Sequence, residues 1–199
     1  MSKLATMTVH GRFQPPLHVN HWMYIQQAFE RAEKVTLLIT NPFRDETFEE
    51  TAGWRNAPEN NPFTYGERVH MFKSFFRRMG ISADSYTFQP FNIKDAAAFD
   101  ELDPSVPNLV NVYSPWSAKK SGLFKDRGRE VVQIENPQIS PVSGTIIRRI
   151  MADPKCWKQL PGQLIEAGFM PQAVPGLLEV LASRKKQGVG YPDAGGSDA

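Results

Sequence analysis

Apolar and polar positions follow two rhythms along this chain. Short apolar runs at Thr6–His10, Lys34–Ile39, Ser85–Phe91, Leu109–Tyr113 and Glu130–Glu135 read as strands. Helical spacing appears between them. Val19–Arg31 places Trp22, Ile25 and Phe29 on one face, and Val69, Phe72, Phe76 and Met79 recur at helical intervals. Thr64-Tyr65-Gly66-Glu67 has the form of a capping box, and Gly80 stops the helix it opens. Lys94–Glu101 reads as a short helix or turn, Ser117–Lys125 as a helix closed by Gly128, and Ser143–Met151 as another helix. Pro161–Lys186 reads as short helices packed on the outside. The run from Lys34 to Ile39 is nearly all apolar, as a strand buried on both faces of a parallel sheet must be. The alternation predicts an α/β fold with a doubly wound, Rossmann-like parallel sheet. Such sheets bind ligands outside the carboxyl ends of their strands, where strand order reverses.

Two segments carry no periodicity. Asn41–Asn61 is long and polar, which predicts a lid or binding loop. From Gln187 onward Gly, Pro, Asp and Ser dominate, which predicts a disordered tail over residues 187–199 behind one domain over residues 1–186. The chain's 199 residues suffice for one full core. With 41% apolar and 22% charged residues and a net charge of +2, no basic stripe calls for nucleic acid. No apolar run approaches the roughly 20 residues of a membrane span. Met1-Ser2-Lys3-Leu4 leads straight into the first strand with no visible signal peptide. The single cysteine, Cys156, rules out an internal disulfide and a cysteine-based zinc site. The expectation is a cytoplasmic protein without nucleic-acid or membrane partners, with homo-oligomerisation left open.

The chemistry concentrates behind the first strand. Gly11-Arg12-Phe13-Gln14-Pro15-Pro16-Leu17-His18-Val19-Asn20-His21 sets a turn and then two histidines at the start of a helix. Backbone N–H groups of Gly11 to Gln14 can wrap an anion as a nest. The helix start offers unpaired N–H groups and partial positive charge. Imidazoles there can donate to phosphoryl oxygens as charge builds up. Ser143-Gly144-Thr145 opens a later helix with hydroxyls, and Arg148 adds a fixed cation. Trp116, Lys119 and Lys120 follow the fourth strand, at the same expected edge of the sheet.

These residues resemble the HxGH nucleotidyltransferase superfamily. Gly11–His21 is similar to its GRFQPxHxGH signature, and Ser143–Arg149 to its (S/T)xTxxR element. Archaeal-type nicotinamide mononucleotide adenylyltransferases are similar further, through Asn61-Pro62-Phe63-Thr64-Tyr65-Gly66-Glu67-Arg68 and through Met151. The chain departs at the third motif position, where Asn20 replaces glycine. Phe99 is what it offers where those enzymes stack a tryptophan on nicotinamide. Cytidylyltransferases of phosphonate-antibiotic pathways resemble it more closely. They carry HxNH, Ile-Thr-Asn-Pro and Asn-Pro-Phe-Thr-Tyr, seen here at His18–His21, Ile39–Pro42 and Asn61–Tyr65.

The resemblance implies roles. His18 and His21 would contact the triphosphate and stabilise the transferring α-phosphoryl group. Gly11, Arg12, Phe13 and Gln14 would cradle phosphates, with Asn20 beside the nucleotide. Ser143, Gly144, Thr145 and Arg148 would hold the phosphates that leave as pyrophosphate. Mg²⁺ would enter bound to phosphates and water, with no residue assigned as its ligand. Arg44, Arg55, Phe99, Trp116, Lys119 and Lys120 are the candidates for a small anionic acceptor. The expected reaction is CMP transfer from CTP to a phosphonate or phosphorylated acceptor. Adenylyl transfer from ATP to nicotinamide mononucleotide is the second reading, and nucleotide binding without turnover the third.

Overall fold

The computed structural model describes residues 2–40, 60–112, 115–135, 143–152 and 157–189, with the side chains of 115 and 116 excepted. Among these residues the chain forms β1 (Leu4–Gly11), α1 (Val19–Arg31), β2 (Ala32–Thr40), α2 (Tyr65–Arg78), β3 (Tyr86–Phe91) and α3 (Ala96–Asp100). It continues through β4 (Asn108–Asn111), α4 (Pro115–Lys125), β5 (Val131–Ile134), α5 (Gly144–Ala152), α6 (Leu160–Glu166) and α7 (Val174–Lys186). The residues divide into two compact units that interleave in sequence.

The first unit comprises Met1–Arg12, Asn20–Pro42 and Ser82–Ile139. Its five strands are all parallel, in the order β3-β2-β1-β4-β5. This is the doubly wound arrangement the alternation predicts, with the reversal of strand order between β1 and β4. Val35, Leu37, Leu38 and Ile39 of β2 are fully buried, as the apolar run requires. The edge strands β3 and β5 are only partly buried. Pro90 sits in β3, where an edge tolerates a residue that cannot donate.

The face that α1 buries is Tyr24, Ile25 and Ala28. The expected Trp22–Ile25–Phe29 stripe is shifted, with Trp22 and Phe29 at its border. The reason is polar. The Tyr24 hydroxyl donates to the Leu109 carbonyl at 2.5 Å and accepts from the His10 N–H at 3.3 Å. It thereby ties the helix across β1 and β4. A further core packs Leu38, Phe91, Ile93, Phe99, Leu102 and Phe124.

The second unit comprises Phe13–Val19, Phe43–Ile81 and Ser140–Ala199. Thr64 caps α2 with the reciprocal Glu67 bond that the sequence predicts, and Gly80 follows at a φ of 72°. α2 buries Met71, Phe72, Phe75 and Phe76, and α7 buries Leu177, Val180 and Leu181. A Cβ on Gly176 would lie 2.8 Å from the Ser74 Cβ, so the bare backbone lets α7 close onto α2. α7 is therefore a core element and not an outer decoration. Arg184, near its end, donates to both carboxylate oxygens of Glu67 and to the Pro62 carbonyl. Residues 187–189, expected to begin the tail, instead close α7, with Val189 donating to the Arg184 carbonyl. Residues 190–199 lie outside the described residues.

Candidate phosphate-binding site

The second unit builds its site on the turn that follows β1. Phe13 and Leu17 sit at φ values of 49° and 76°, left-handed conformations that cost a non-glycine residue about 1–3 kcal/mol each. Their surroundings hold them there. Phe13 is buried edge-on against Phe72, with ring centroids 5.2 Å apart, and Leu17 is fully buried. The Gln14 side chain pairs with the Phe63 peptide as a strand would. Its Nε2 donates to the Phe63 carbonyl at 2.8 Å, and its Oε1 accepts the Phe63 N–H at 3.1 Å. Beyond the turn, His18 bridges antiparallel to Phe169, flanked by Val19 N–H to Gly168 at 2.9 Å and Met170 N–H to Leu17 at 3.0 Å. A strained turn fixed from three directions is preorganised, and such strain concentrates at functional sites.

Onto this turn comes Arg148 from α5. It is 4% exposed. Nη1 donates to the Gln14 carbonyl at 2.8 Å; Nη2 donates to Asn60 Oδ1 at 2.8 Å and to Thr145 Oγ1 at 3.0 Å. All three acceptors are neutral, and among the described residues no carboxylate pairs with Arg148. Burial, and then the neighbouring Arg149 charge, lower its pKa to about 10, so it remains a cation at neutral pH. Burying an uncompensated charge is costly. The arrangement suits an anion that arrives with a ligand. A Cβ on Gly144 would lie 2.3 Å from the Gln14 carbonyl oxygen and 3.0 Å from Arg148 Nη1, so only glycine lets α5 begin against the turn. Ser143 Oγ accepts the Ile146 N–H at 3.4 Å. The structure thus brings together Gln14, Gly144, Thr145 and Arg148, with His18 four residues past Gln14.

His18 is 7% exposed, and burial lowers its pKa to about 4. It is neutral at pH 7 and can serve as an N–H donor without being an imidazolium. Asn20 and His21 stand in the first turn of α1, in the first unit. Gly11 ends β1, and Arg12 follows it. Phe13 offers only its backbone, since its ring belongs to the interior.

The first unit adds a polar relay at the β1/β4 reversal. The Thr8 hydroxyl donates to Asn108 Oδ1 at 2.8 Å, and the Leu109 carbonyl faces Asn108 Nδ2 at 3.4 Å. That orientation turns the amide NH₂ toward His10 Nδ1, 3.3 Å away. The proton of the neutral ring then resides on Nε2. Burial first, and then the Lys120 charge, lower His10 to about 3 against the Asn108 bond. Lys120 of α4 is therefore close to the end of β1, while Lys119 is exposed. Phe99 departs from its expected role. It is 1% exposed, packs on Phe91 and Phe124 with centroids 5.0 and 5.1 Å away, and lies beneath Arg127 at 4.4 Å. It has no face left for an acceptor. Arg44, Arg55, the Trp116 side chain and the 41–59 part of the expected lid lie outside the described residues.

Sequence reasoning missed His10, Asn108, Asn60 and the Phe63 peptide. A histidine ending an apolar strand, directly before Gly11, was the available signal for His10. Asn60 and Asn108 carried none, because their partners are remote in the chain.

No family model matches the chain. It is 32% identical over 158 residues to a phosphonoformate cytidylyltransferase of Streptomyces viridochromogenes, covering 78% of this chain and 85% of that one. The chain belongs to this family of nucleotidyltransferases. It is also 29% identical over 155 residues to a nicotinamide-nucleotide adenylyltransferase of Aeropyrum pernix, covering 75% of this chain and 80% of the relative. The fold of this nucleotidyltransferase is similar to that of a bifunctional NMN adenylyltransferase/ADP ribose pyrophosphatase from Francisella tularensis, solved with AMP and a manganese ion. The TM-score is 0.56 at 17% identity, over 94% of this chain and 56% of that one. This nucleotidyltransferase thus spans little more than half of that bifunctional protein. Among the described residues no helix is long and apolar enough to cross a membrane.

Proposed function

We propose that this nucleotidyltransferase moves CMP from CTP to a small phosphonate or phosphorylated acceptor and releases pyrophosphate. The observation that carries the phosphate-handling part is the buried Arg148 cation, held by neutral oxygens on a strained turn. The substrate reading is supported by the relative named phosphonoformate cytidylyltransferase and by Asn20 in the histidine motif.

In the proposed reaction an ionised acceptor oxygen attacks the α-phosphorus. The bond from that phosphorus to the bridging oxygen breaks, and pyrophosphate leaves with the electron pair. His18 and His21 donate to the α-phosphoryl oxygens, while Arg148, Ser143 and Thr145 take the leaving phosphates. No covalent enzyme intermediate is required. The protein supplies position and charge neutralisation. The donor set around Arg148 is guanidinium, amide and hydroxyl, which suits phosphate oxygens and leaves a divalent ion to phosphate and water. Mg²⁺ would supply further charge neutralisation there. Lys120, beside the β1/β4 reversal, is the described candidate for the acceptor's anionic group. Lys119, exposed on the same helix, is a second candidate, and Arg44, Arg55 and Trp116 remain candidates on sequence alone. The site is proposed to act in the cytoplasm.

Adenylyl transfer to nicotinamide mononucleotide is the second reading, favoured by the similarity to the Aeropyrum pernix enzyme. Pyrophosphate release separates the two. The expected result is release with CTP plus phosphonoformate. Release with ATP plus nicotinamide mononucleotide, and none with CTP, would replace the first reading by the second.

A further inference from the structure

The oxygens that hold Arg148 differ in kind. The Gln14 carbonyl is backbone and the Thr145 hydroxyl belongs to the same helix as the arginine. Asn60 Oδ1 comes from a separate segment, on a side chain whose shape a carboxylate shares. That segment is held in place. Phe63 is clamped by the Gln14 amide, and the Pro62 carbonyl is held by Arg184, so Asn60 leads into an anchored stretch. Aspartate at position 60 would present the same oxygen to Nη2 and add the counter-charge that Arg148 lacks among the described residues. The bond from the guanidinium is charge-assisted with either side chain, and a carboxylate adds direct attraction between opposite charges. With Arg148 already buried, aspartate at this position would offset its charge from within the fold.

We propose that Asn60 is a positioning residue that orients Arg148 through a neutral oxygen, so that the guanidinium, which pairs with no carboxylate among the described residues, keeps its charge for an arriving polyphosphate. An amide at position 60 leaves the guanidinium open to phosphate oxygens; a carboxylate there would act as a built-in competitor. The proposal rests on the reading that Arg148 takes the leaving phosphates. It attributes to Asn60 a compromise in which fold stability is given up for anion affinity.

The test compares Asn60→Asp, Asn60→Ser and Arg148→Met in the full chain. Each variant is titrated calorimetrically with inorganic pyrophosphate, melted with and without it, and assayed for turnover against nucleotide concentration. Asn60→Asp is expected to melt at or above the wild-type temperature and to bind pyrophosphate at least about tenfold more weakly, with the loss appearing mainly in KM. Asn60→Ser, which keeps a neutral acceptor, should stay within about threefold of wild-type affinity. Wild-type affinity in Asn60→Asp overturns the proposal. So does an Asp variant that melts below the Ser variant or fails to fold. If the wild type takes up no pyrophosphate, or if Arg148→Met binds it undiminished, the assignment of Arg148 falls, and the Asn60 proposal falls with it.

Discussion

Two buried arginines in the second unit meet opposite fates. Arg184 and Arg148 are each 4% exposed. Arg184 is joined to the Glu67 carboxylate and to the Pro62 carbonyl, and its guanidinium lies 5.1 Å from the Phe63 ring centroid. Arg148 receives three neutral oxygens and no carboxylate among the described residues. Histidine offers a third solution. His10 and His18 escape the cost of burial by staying neutral, with pKa values of about 3 and about 4. Arginine cannot take that route, because its proton is held too tightly. A buried arginine is therefore either paired within the fold or kept for something outside it. Arg184 is a fastener between α7 and α2. Arg148, on the proposed reading, is a receptor.

The comparison breaks most directly at Arg148. Arg148→Met should lower turnover by about a hundredfold or more, the effect of removing one transition-state donor, in a pyrophosphate-release assay. Its free-protein stability should move little. Losing a buried charge that pairs with no carboxylate among the described residues offsets losing its bonds to the Gln14 and Asn60 oxygens. Arg184→Met should do the reverse and cost about 3 kcal/mol in urea unfolding, because Glu67 is then left partly buried without its counter-charge. If the two variants showed the same pattern, the distinction would collapse. His21→Ala should also lose roughly a hundredfold in turnover while keeping its circular dichroism spectrum, and normal turnover would make His21 a helix cap only.

Smaller effects sharpen the contrast. Gly144→Ala must push α5 off the Gln14 carbonyl, at a cost of about 1–3 kcal/mol, with activity falling more steeply than melting temperature. The pH dependence of stability tests the paired and neutralised groups. Burial pushes the Glu67 carboxyl up, but the bonds from Arg184 and Thr64 outweigh it and hold it below its ordinary value. That contribution is present above the ordinary carboxyl range and is lost as pH falls through the depressed value. His10 and His18 act in the same direction. Their contribution is complete above the ordinary value of 6.5 and declines as pH falls toward about 3 for His10 and about 4 for His18. Urea midpoints measured between pH 7 and pH 4 should fall less in His10→Gln than in the wild type. An unchanged slope would remove His10 from the account.

Much of this was legible in the chain because the signals are local. The nearly all-apolar run in β2, the capping box at Thr64–Glu67 and the glycine stops at Gly80 and Gly128 are each decided within a few residues. The turn-and-histidine segment was visible for the same reason. Failures came where a distant partner decided the outcome. Trp22 and Phe29 lost the buried face of α1 because Tyr24 found the Leu109 carbonyl. Phe99 turned inward because Phe91 and Phe124 closed over it. α7 read as decoration because the bare Gly176 that lets it approach Ser74 has no pattern of its own.

The order of strands and helices, the positions of the histidines and the class of chemistry were written in the sequence, since periodicity and turn residues act at short range. Which arginine meets a carboxylate and which meets neutral oxygens was decided only in three dimensions. Both are ordinary basic residues within helical patterns. The difference lies in whether an acid from 117 residues away, or an amide from 88 residues away, arrives beside the guanidinium.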